Sequence, residues 1–304
     1  MPYPFKSLAT VNAIPRPVLH DMTVVIPTLG RSILEACLYW IVVGDAWPRE
    51  LIVVDQGRSQ DVVDWIARLQ SFGLQAEYLP SHQRGRAAGV NRGLERVKTH
   101  FVAVTDDDCF VETDWLNSLV GHLRTAPEAI VTGRVEAAGD EDVLGVVTSL
   151  EPAVYHRPRL TFDPLSGGNM GTSMSVIKHV GLLDEDVCLR TAEDGEWAYR
   201  ALRAGVPIIY APEVIVQHYG WRDESQRTMQ YQDYARSQGG FYGKYLRQGD
   251  WFIALRIMVH HLRAFRRWLR GFLTGNQECA RYGRAYLTGL LPGIMAGIRR
   301  SKVS

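Results

Sequence analysis

The sequence predicts an α/β fold in which a mostly parallel sheet is covered by helices on both faces. Two observations predict it. Short β-branched apolar runs alternate with segments of helical spacing through the first half of the chain. The composition, with 46% hydrophobic and 22% charged residues, is typical of a folded globular protein. Strands and helices that alternate at this pace form parallel sheets, because each crossover helix returns the chain to the same end of the sheet.

The predicted strands are short apolar runs that end in a turn or a polar residue. We expect them at 22–26, 51–54, 75–79, 101–105 and 129–135. The predicted helices carry apolar residues three and four apart, at 32–41, 61–69, 87–97 and 114–123. The pattern then becomes less regular, with a turn-rich loop at 166–169, a helix at 192–204 and short strands at 207–210 and 214–217. From residue 223 onward the sequence predicts helix.

Three consecutive aspartates follow the fourth predicted strand, Asp106, Asp107 and Asp108. In open α/β sheets, ligands bind beyond the carboxyl ends of the strands, where this triplet lies. Asp106 and Asp108 are two residues apart and in extended backbone would point to the same side. Two carboxylates on one side of a crevice suit a hard divalent ion such as Mg²⁺ or Mn²⁺. The alternative is a solvated acidic turn that caps the helix beginning near Asp114.

A second acidic pair, Glu193 and Asp194, precedes a predicted helix. One interpretation is helix capping and compensation of the helix dipole. The other is that a carboxylate at this position accepts a proton from a substrate hydroxyl, provided that a crevice surrounds it. The residues by themselves leave both interpretations open.

Taken in order, the motifs of this chain resemble those of family 2 inverting glycosyltransferases. The resemblance rests on Val-Ile-Pro-Thr at 25–28, Val-Val-Asp-Gln-Gly at 53–57, Gly85 with Asn91 and Gly93, Thr-Asp-Asp-Asp at 105–108, Gly-Gly-Asn-Met at 167–170, Val-Gly-Leu-Leu-Asp at 180–184, Glu193-Asp194 and Val-Gln-His at 216–218. The Gln-x-x-Arg-Trp motif of processive members is missing after His218. The chain therefore resembles a bacterial, non-processive member that adds one sugar.

The resemblance implies a GT-A fold, which is a Rossmann-like sheet flanked by helices, and it implies roles for individual residues. Nucleotide-sugar contacts would come from Pro27, Thr28, Asp55, Arg84, Asn91, Asp106 and Asp107. A Mn²⁺ or Mg²⁺ ion would be held by Asp106, Asp108 and His218. Asp194, with Glu193, would be catalytic as the general base, and the acceptor side would include Gly168, Asn169, Met170 and Trp197. Val90 stands where the family often has an arginine, so we expect Arg84 or Arg86 to supply any phosphate contact from this region.

The expected organisation is a leader segment at 1–21, a GT-A catalytic domain at 22–222 and a basic amphipathic helical region at 223–304. The nucleotide-binding half would span about 22–110 and the acceptor half about 111–222. The expected activity is transfer of a sugar from a nucleoside-diphosphate sugar, UDP-sugar by default, to a hydroxyl of a glycan or lipid-linked acceptor in surface polysaccharide or glycolipid assembly. The alternatives are a nucleotidyltransferase, which usually has a glycine-rich, lysine-bearing loop after its first strand, and a non-catalytic nucleotide-sugar- or glycan-binding protein.

The C-terminal region is strongly basic. Residues 244–304 hold twelve Lys and Arg against two acids, although the whole chain has a net charge of +1. On a helix over 251–270, one apolar stripe contains Trp251, Leu255, Met258, Leu262, Phe265 and Leu269, and one flank contains Arg256, Arg263, Arg266, Arg267 and Arg270. This pattern suits contact with an anionic membrane surface through residues 251–302. The alternative is a stripe that packs on the catalytic domain.

The remaining expectations concern location and partners. The first 21 residues lack a signal-peptide core, and no apolar run reaches the roughly 18 residues that a membrane span needs. The four scattered cysteines fit a reducing compartment. We therefore expect a cytoplasmic protein, peripheral on the inner face of a membrane. No nucleic-acid partner is expected, because the body of the chain is acidic and no nucleic-acid-binding module is recognised.

Overall fold

The structure, a computed structural model, describes residues 6–11, 14–139, 145–220 and 224–300. The chain divides into two compact units that interleave in sequence. The first unit contains residues up to 157 together with 164–183 and 197–220, and the second contains 158–163, 184–196 and the residues from 221 onward. Parts of the predicted leader, the boundary at 222–223 with Arg222, and residues 301–304 lie outside the described residues.

One sheet of nine strands organises the described part of the first unit. The strands are β1 Val18–Thr28, β2 Trp47–Asp55, β3 Ala76–Pro80, β4 Phe101–Thr105, β5 Cys109–Val111, β6 Ile130–Ala137, β7 Ala153–Tyr155, β8 Asn169–Ser173 and β9 Ile208–His218. Their order is β3-β2-β1-β4-β8-β6-β9-β5, with β7 also paired to β9. The predicted α/β class is confirmed, and the first four strands pair in parallel.

The rest of the sheet is mixed rather than mostly parallel. Strand β8 is antiparallel to both β4 and β6, and β5 and β7 are antiparallel to β9. Only the β6–β9 pair is parallel in this half. The sequence analysis missed β5, β7 and β8, because these strands are short or, like Asn-Met-Gly-Thr-Ser in β8, contain no apolar run.

The helices cover both faces of the sheet in the first unit and make up most of the second. They are α1 Ile33–Val43, α2 Gln60–Ser71, α3 Arg86–Leu94, α4 Trp115–Thr125, α5 Met174–Val180, α6 Glu193–Arg203, α7 Glu224–Leu246, α8 Trp251–Thr274 and α9 Gln277–Arg299. One apolar cluster joins α1, α2 and α4 to the sheet, and a second joins α3, α5 and α6 to its opposite face. Successive residues of β1 show the alternation, since Val24 and Ile26 belong to the first cluster and Val25 to the second.

Strand β9 replaces the two short strands predicted at 207–210 and 214–217. Its register against β6 shifts between Ala211 and Ile215, so that Pro212 lies in a bulge. A bulge tolerates proline because the missing N–H is not needed in the ladder. The result is a continuous strand that carries His218 to the end of the sheet.

Helices α7 and α9 pack closely because small residues lie between them. A Cβ atom at Gly293 would be 2.0 Å from the Arg236 carbonyl oxygen, and one at Gly297 would be 2.2 Å from that of Gly240. Backbones can approach this closely only at glycine, as in the small-residue interfaces of membrane helices. No helix of the described residues is long and apolar enough to cross a membrane.

The buried face of helix α8 is not the predicted apolar stripe, and it includes one arginine of the predicted flank. Its buried residues are Ile253, Arg256, Ala264 and Gly271, whereas the stripe residues Trp251, Met258, Leu262, Phe265 and Leu269 are exposed. Packing of the stripe on the catalytic domain stays a prediction. Arg256 is also not part of an exposed flank, because it is fully buried in an ion pair with Asp163.

Candidate functional site

The loops that follow β1, β2 and β3 are joined to one another by backbone and amide hydrogen bonds. The backbone N–H of Gln56 donates to the Thr28 carbonyl oxygen at 2.9 Å, and the backbone N–H of Ser81 donates to the Asp55 carbonyl oxygen at 2.9 Å. The Gln56 side chain donates to the carbonyl oxygens of Gln83 at 2.7 Å and Gly85 at 2.8 Å. These bonds hold three loops together at the carboxyl edge of the sheet, which is where open α/β sheets bind ligands.

The aspartate triplet forms a turn between β4 and β5, not an extended segment. The Cys109 N–H donates to the Asp106 carbonyl oxygen at 3.1 Å and closes it. We expected Asp106 and Asp108 to point to the same side because of strand alternation. That expectation assumed extended backbone, and the assumption is wrong. In the turn, Asp107 and Asp108 share Arg31 as a partner, and Asp106 pairs with Arg86.

Asp107 is buried, with 2% exposure, and lies against the loop after β1. Its carboxylate accepts from the Thr28 hydroxyl at 2.6 Å and from Arg31 Nε at 3.2 Å, and Arg31 Nη2 contacts both Asp107 and Asp108. Burial raises the pKa of Asp107, while the Arg31 guanidinium opposes that rise. The sequence analysis missed Arg31. The sequence could have indicated Arg31 only as a cation in the loop after the first strand. The residue before it, Gly30, has a positive φ of 77°.

Asp106 pairs with Arg86 at the start of α3. Arg86 Nε donates to Asp106 Oδ1 at 2.7 Å. Gly168 lies on the other side of this carboxylate, since a Cβ atom there would be 2.9 Å from Asp106 Oδ2. Of the two arginines that the sequence analysis considered, Arg86 reaches the acidic turn, and Arg84 is exposed in the preceding loop.

Asp108 and His218 form the pair best suited to a metal ion. Asp108 Oδ1 is 3.6 Å from His218 Nε2, because β5 and β9 place Cys109 directly opposite His218. The ligand atoms of Asp108, Cys109 and His218 lie within 4.8 Å of one another. Burial and then the neighbouring aspartates raise the pKa of the Cys109 thiol, and hard ions such as Mg²⁺ and Mn²⁺ prefer oxygen ligands to the soft sulfur of a thiol. A carboxylate oxygen and an imidazole nitrogen remain, and both suit Mn²⁺. Asp106 does not belong to this group.

Pro27, Thr28 and Asp55 lie at the ends of β1 and β2, as the sequence analysis expected. All three are buried. The Asp55 carboxylate accepts from the backbone N–H groups of Gly57 at 2.8 Å, Arg58 at 2.9 Å and Ser59 at 2.7 Å. Its direct role is therefore to fix the loop after β2.

Asn91 was expected to contact the nucleotide-sugar, and its side chain instead binds a backbone segment. The Asn91 amide donates to the Leu183 carbonyl oxygen at 2.9 Å and accepts from the Leu183 N–H at 3.0 Å. Asn91 is 3% exposed. In this two-way pairing the Asn91 side-chain amide bonds to the Leu183 backbone as a neighbouring strand would, and the expected contact with the nucleotide-sugar stays a prediction.

Three of the four expected acceptor-side residues are core residues. Asn169 is fully buried and donates to the carbonyl oxygens of Arg134 and Val214, beside the β9 bulge, while it accepts from Trp115 Nε1. Met170 and Trp197 belong to an apolar cluster. The three side chains are buried in this structure, and their acceptor-side role stays a prediction. Gly168, beside Asp106, is the partly exposed member of the set.

Glu193 and Asp194 begin α6 and belong to the second unit. Glu193 is buried and Asp194 is partly exposed, with its Oδ1 accepting from the Gly195 N–H at 2.7 Å. Carboxylates in a first helical turn are stabilised in their ionised form by the helix dipole. An ionised, partly exposed carboxylate can accept a proton.

Comparisons with known proteins identify relatives of this chain in sequence and in fold. A relative from Mycobacterium tuberculosis (strain ATCC 25618 / H37Rv), a pre-mycofactocin glycosyltransferase, is 30% identical over 212 residues, which cover 66% of this chain and 43% of the relative. The chain thus spans less than half the length of that curated relative.

Two solved structures share the fold. The mannosyltransferase PcManGT from Pyrobaculum calidifontis, in complex with GDP-Man and Mn²⁺, has a TM-score of 0.60 at 17% identity, over 95% of this chain and 90% of that one. S. aureus TarS 1-349 has a TM-score of 0.56 at 13% identity, over 88% and 90%. The family profile for glycosyl transferase family 2 matches residues 23–184, more than half of the chain, including the acidic turn and the loops around it. The chain belongs to glycosyl transferase family 2.

Proposed function

We propose that the protein is a metal-dependent, inverting glycosyltransferase that transfers a sugar from a nucleoside-diphosphate sugar to an acceptor hydroxyl. The observation that carries the proposal is the acidic turn at the end of β4, where Asp108 lies 3.6 Å from His218 and arginines flank the other two carboxylates. Family membership supports the reaction class.

The nucleotide-sugar would lie across the loops after β1, β2 and β3. Pro27 and Thr28 are buried at the end of β1 beside these loops, and Asp55 fixes the loop at 57–59 that would border the base. Arg31 and Arg86 are the cations closest to the acidic turn and would help to balance the charge of the diphosphate. Arg84, exposed in the loop before α3, is a further candidate for a phosphate contact.

The donor set fits a divalent ion. Asp108 and His218 would hold Mn²⁺ or Mg²⁺, with Asp106 and Asp107 kept in place by their arginines. When bound, the ion would neutralise negative charge on the leaving nucleoside diphosphate. Manganese is present in the PcManGT complex.

Asp194 would be the general base. It would take the proton of the acceptor hydroxyl as that oxygen forms a bond to the anomeric carbon and the bond from this carbon to the diphosphate breaks. Attack from the face opposite the leaving group inverts the anomeric configuration. Glu193, buried beside it at the start of α6, would support the orientation of that turn.

For the substrates, we propose a UDP-sugar donor and a glycan or lipid-linked acceptor in surface polysaccharide or glycolipid assembly. Related folds have been seen with GDP-Man in PcManGT and with UDP-GlcNAc in TarS, so both nucleotides belong in the test.

The test of the donor site is thermal stabilisation of the purified chain by UDP, GDP, dTDP and CMP, each with and without Mn²⁺. A ligand of the folded state raises stability by RT ln(1 + [L]/Kd), which is about 2.7 kcal/mol at 100 times Kd. We expect a metal-dependent shift with one nucleoside diphosphate. Equal behaviour with all nucleotides, whether or not metal is present, would contradict the proposed donor site.

We also propose that the second unit contacts an anionic membrane surface, on the inner face of the cytoplasmic membrane. The exposed stripe of α8 extends to Phe272 and Leu273, each 72% exposed, and Trp251 at its start is 75% exposed. At roughly 100° per residue the stripe lies opposite the buried face of α8, with Arg263, Arg266, Arg267 and Arg270 along one side. Large apolar residues outside and arginines beside them suit an interface with anionic lipid.

Vesicle binding by the full chain tests this partner. We expect binding to vesicles that contain phosphatidylglycerol, weak binding to phosphatidylcholine alone, and a decrease with salt, because exposed charges are screened. Phe272→Ser with Leu273→Ser should weaken binding, whereas the matched control Leu150→Ser, at a residue 69% exposed in the first unit, should not. A concentration-dependent dimer that leaves vesicles unbound would instead assign the stripe to a second copy of the chain.

A further inference from the structure

Buried charged groups tie the first turn of α6 to helix α7. Glu196 is fully buried, and its Oε1 accepts from Lys244 Nζ at 2.6 Å and from the Tyr245 hydroxyl at 2.7 Å. Lys244 and Tyr245 lie at the end of α7. A buried carboxylate is tolerated only when it is paired, so this contact fixes where the first turn of α6 can lie within the second unit.

A second tie connects the same turn to helix α8. The Asp163 carboxylate packs against the backbone of the turn, since a Cβ atom at Gly195 would be 3.0 Å from Asp163 Oδ2. The same oxygen is 2.7 Å from Arg256 Nη2. Arg256 is fully buried and lies 5.6 Å and 5.5 Å from the ring centres of Phe241 and Tyr242 on α7.

Asp194 stands directly before the two tied residues, Gly195 and Glu196. Its charge also acts on the tie itself: burial raises the pKa of Asp163, Arg256 lowers it, and the charge of Asp194 raises it again. Both ties belong to the second unit. They hold Gly195 and Glu196, the two residues that follow Asp194 in the first turn of α6.

We propose that helices α7 and α8 position the general base, with Lys244 and Arg256 as positioning residues that act through Glu196 and Asp163. This inference rests on the proposed function, in which Asp194 accepts the proton of the acceptor. Removing either cation would let the first turn of α6 move while the donor loops of the first unit keep their own hydrogen bonds. Proton transfer would therefore suffer and donor binding would not.

The experiment compares Lys244→Met and Arg256→Met with the control Arg281→Met in the full chain. Arg281 lies on α9 and donates to Gln277, one turn earlier on the same helix, at 3.0 Å, so the control removes a cation of the same unit. We expect kcat to fall about 10- to 100-fold in the two test variants, as for a small misplacement of a reacting group, with donor KM unchanged. The control should keep the wild-type kcat.

Hydrogen exchange of the amides at 193–197, measured without substrate, gives a readout that does not depend on activity. We expect faster exchange in Lys244→Met and Arg256→Met and wild-type exchange in Arg281→Met. Folded test variants with wild-type kcat would overturn the proposal, as would unchanged exchange in this turn. If the wild-type chain transfers no sugar while the exchange responds as expected, the proposed function has failed and the ties stand.

Two milder variants test the same proposal if the methionine variants do not fold. Arg256→Lys keeps the charge but loses the guanidinium geometry, and Tyr245→Phe removes one hydroxyl from Glu196. The proposal expects a smaller loss of kcat in both, again with donor KM unchanged. Wild-type kcat in both of these folded variants would overturn it.

Discussion

The two units of the chain differ in how their helices pack and in which large apolar side chains they expose. The first hides its largest apolar residues, such as Trp115 and Trp197, beneath a sheet. The second packs glycines between α7 and α9 and leaves Trp251, Phe272 and Leu273 exposed. In water the hydrophobic effect favours the first arrangement. The membrane contact proposed for the second unit would bury these exposed side chains.

The units also pair their buried carboxylates differently. In the first, the aspartates of the turn meet Arg31 from the loop after β1 and Arg86 from the start of α3, at the carboxyl end of β4. In the second, Glu196 and Asp163 meet cations from long helices, behind the turn that carries Asp194. We therefore expect mutations in the first unit to affect donor binding and mutations in the second unit to affect proton transfer.

The largest effect is expected from Asp194→Asn in the second unit. A positioned general base contributes about 10²–10⁴-fold, so transfer should fall by that factor while nucleotide binding is retained. Nucleoside diphosphate release in the presence of donor and acceptor measures the first, and thermal shift measures the second. Glu185→Gln, at an exposed carboxylate of the same unit, is the control. Full transfer by Asp194→Asn would exclude this residue as the base.

Asp108→Asn in the first unit should do the reverse and remove metal-dependent nucleotide binding. The stabilisation of about 2.7 kcal/mol expected at 100 times Kd should largely disappear, because one of the two proposed ligands is lost. Thermal shift with and without Mn²⁺ checks it, with the exposed Glu95→Gln as control. An undiminished shift would remove Asp108 from the metal site.

Asn169→Ala tests whether this residue supports the core or contacts an acceptor. Its loss would leave two buried carbonyl groups and the Trp115 N–H without their partner, at a cost of about 2 kcal/mol or more in the free energy of unfolding. Urea denaturation measures that cost, and the exposed Asn117→Ala serves for comparison. Unchanged stability together with a raised acceptor KM would favour the original acceptor-side interpretation.

The smallest effect on stability is expected from Phe272→Ser with Leu273→Ser in the second unit. Substitutions at exposed positions usually change the free energy of unfolding by no more than about 0.5 kcal/mol. By contrast, Leu34→Ala in the buried core of the first unit should cost about 2–5 kcal/mol. Similar losses at both places would mean that the stripe is covered in the isolated chain, which would break the comparison between the units.

Local patterns in the sequence were sufficient for much of the fold and for part of the site. Apolar runs closed by polar residues predicted β1 to β4 and the helices between them, because a buried strand or helix face must be apolar in consecutive or periodic positions. The acidic triplet, the Glu193-Asp194 pair and His218 stood out for the same reason, as polar groups at the ends of apolar elements. Their roles in donor binding and catalysis remain predictions.

Other features had no local pattern. Strand β8 is polar, and its place between β4 and β6 depends on partners far away in sequence. The same holds for Asn91 and Asn169, whose amides bind backbone atoms of Leu183 and of the β9 bulge. An asparagine in a family motif cannot by itself reveal whether it meets a ligand or a backbone.

The sequence by itself determined the α/β class, the helical C-terminal region, the carboxylates at the strand ends and the apolar stripe with its arginines, since each of these follows from residue types at short spacing. Only the tertiary structure decided which charges meet. It brought Arg31 and Arg86 to the acidic turn, set His218 beside Asp108, and buried Arg256 against Asp163. The physical reason is that the pairing of charges depends on distances in space, which the packing of separate elements sets.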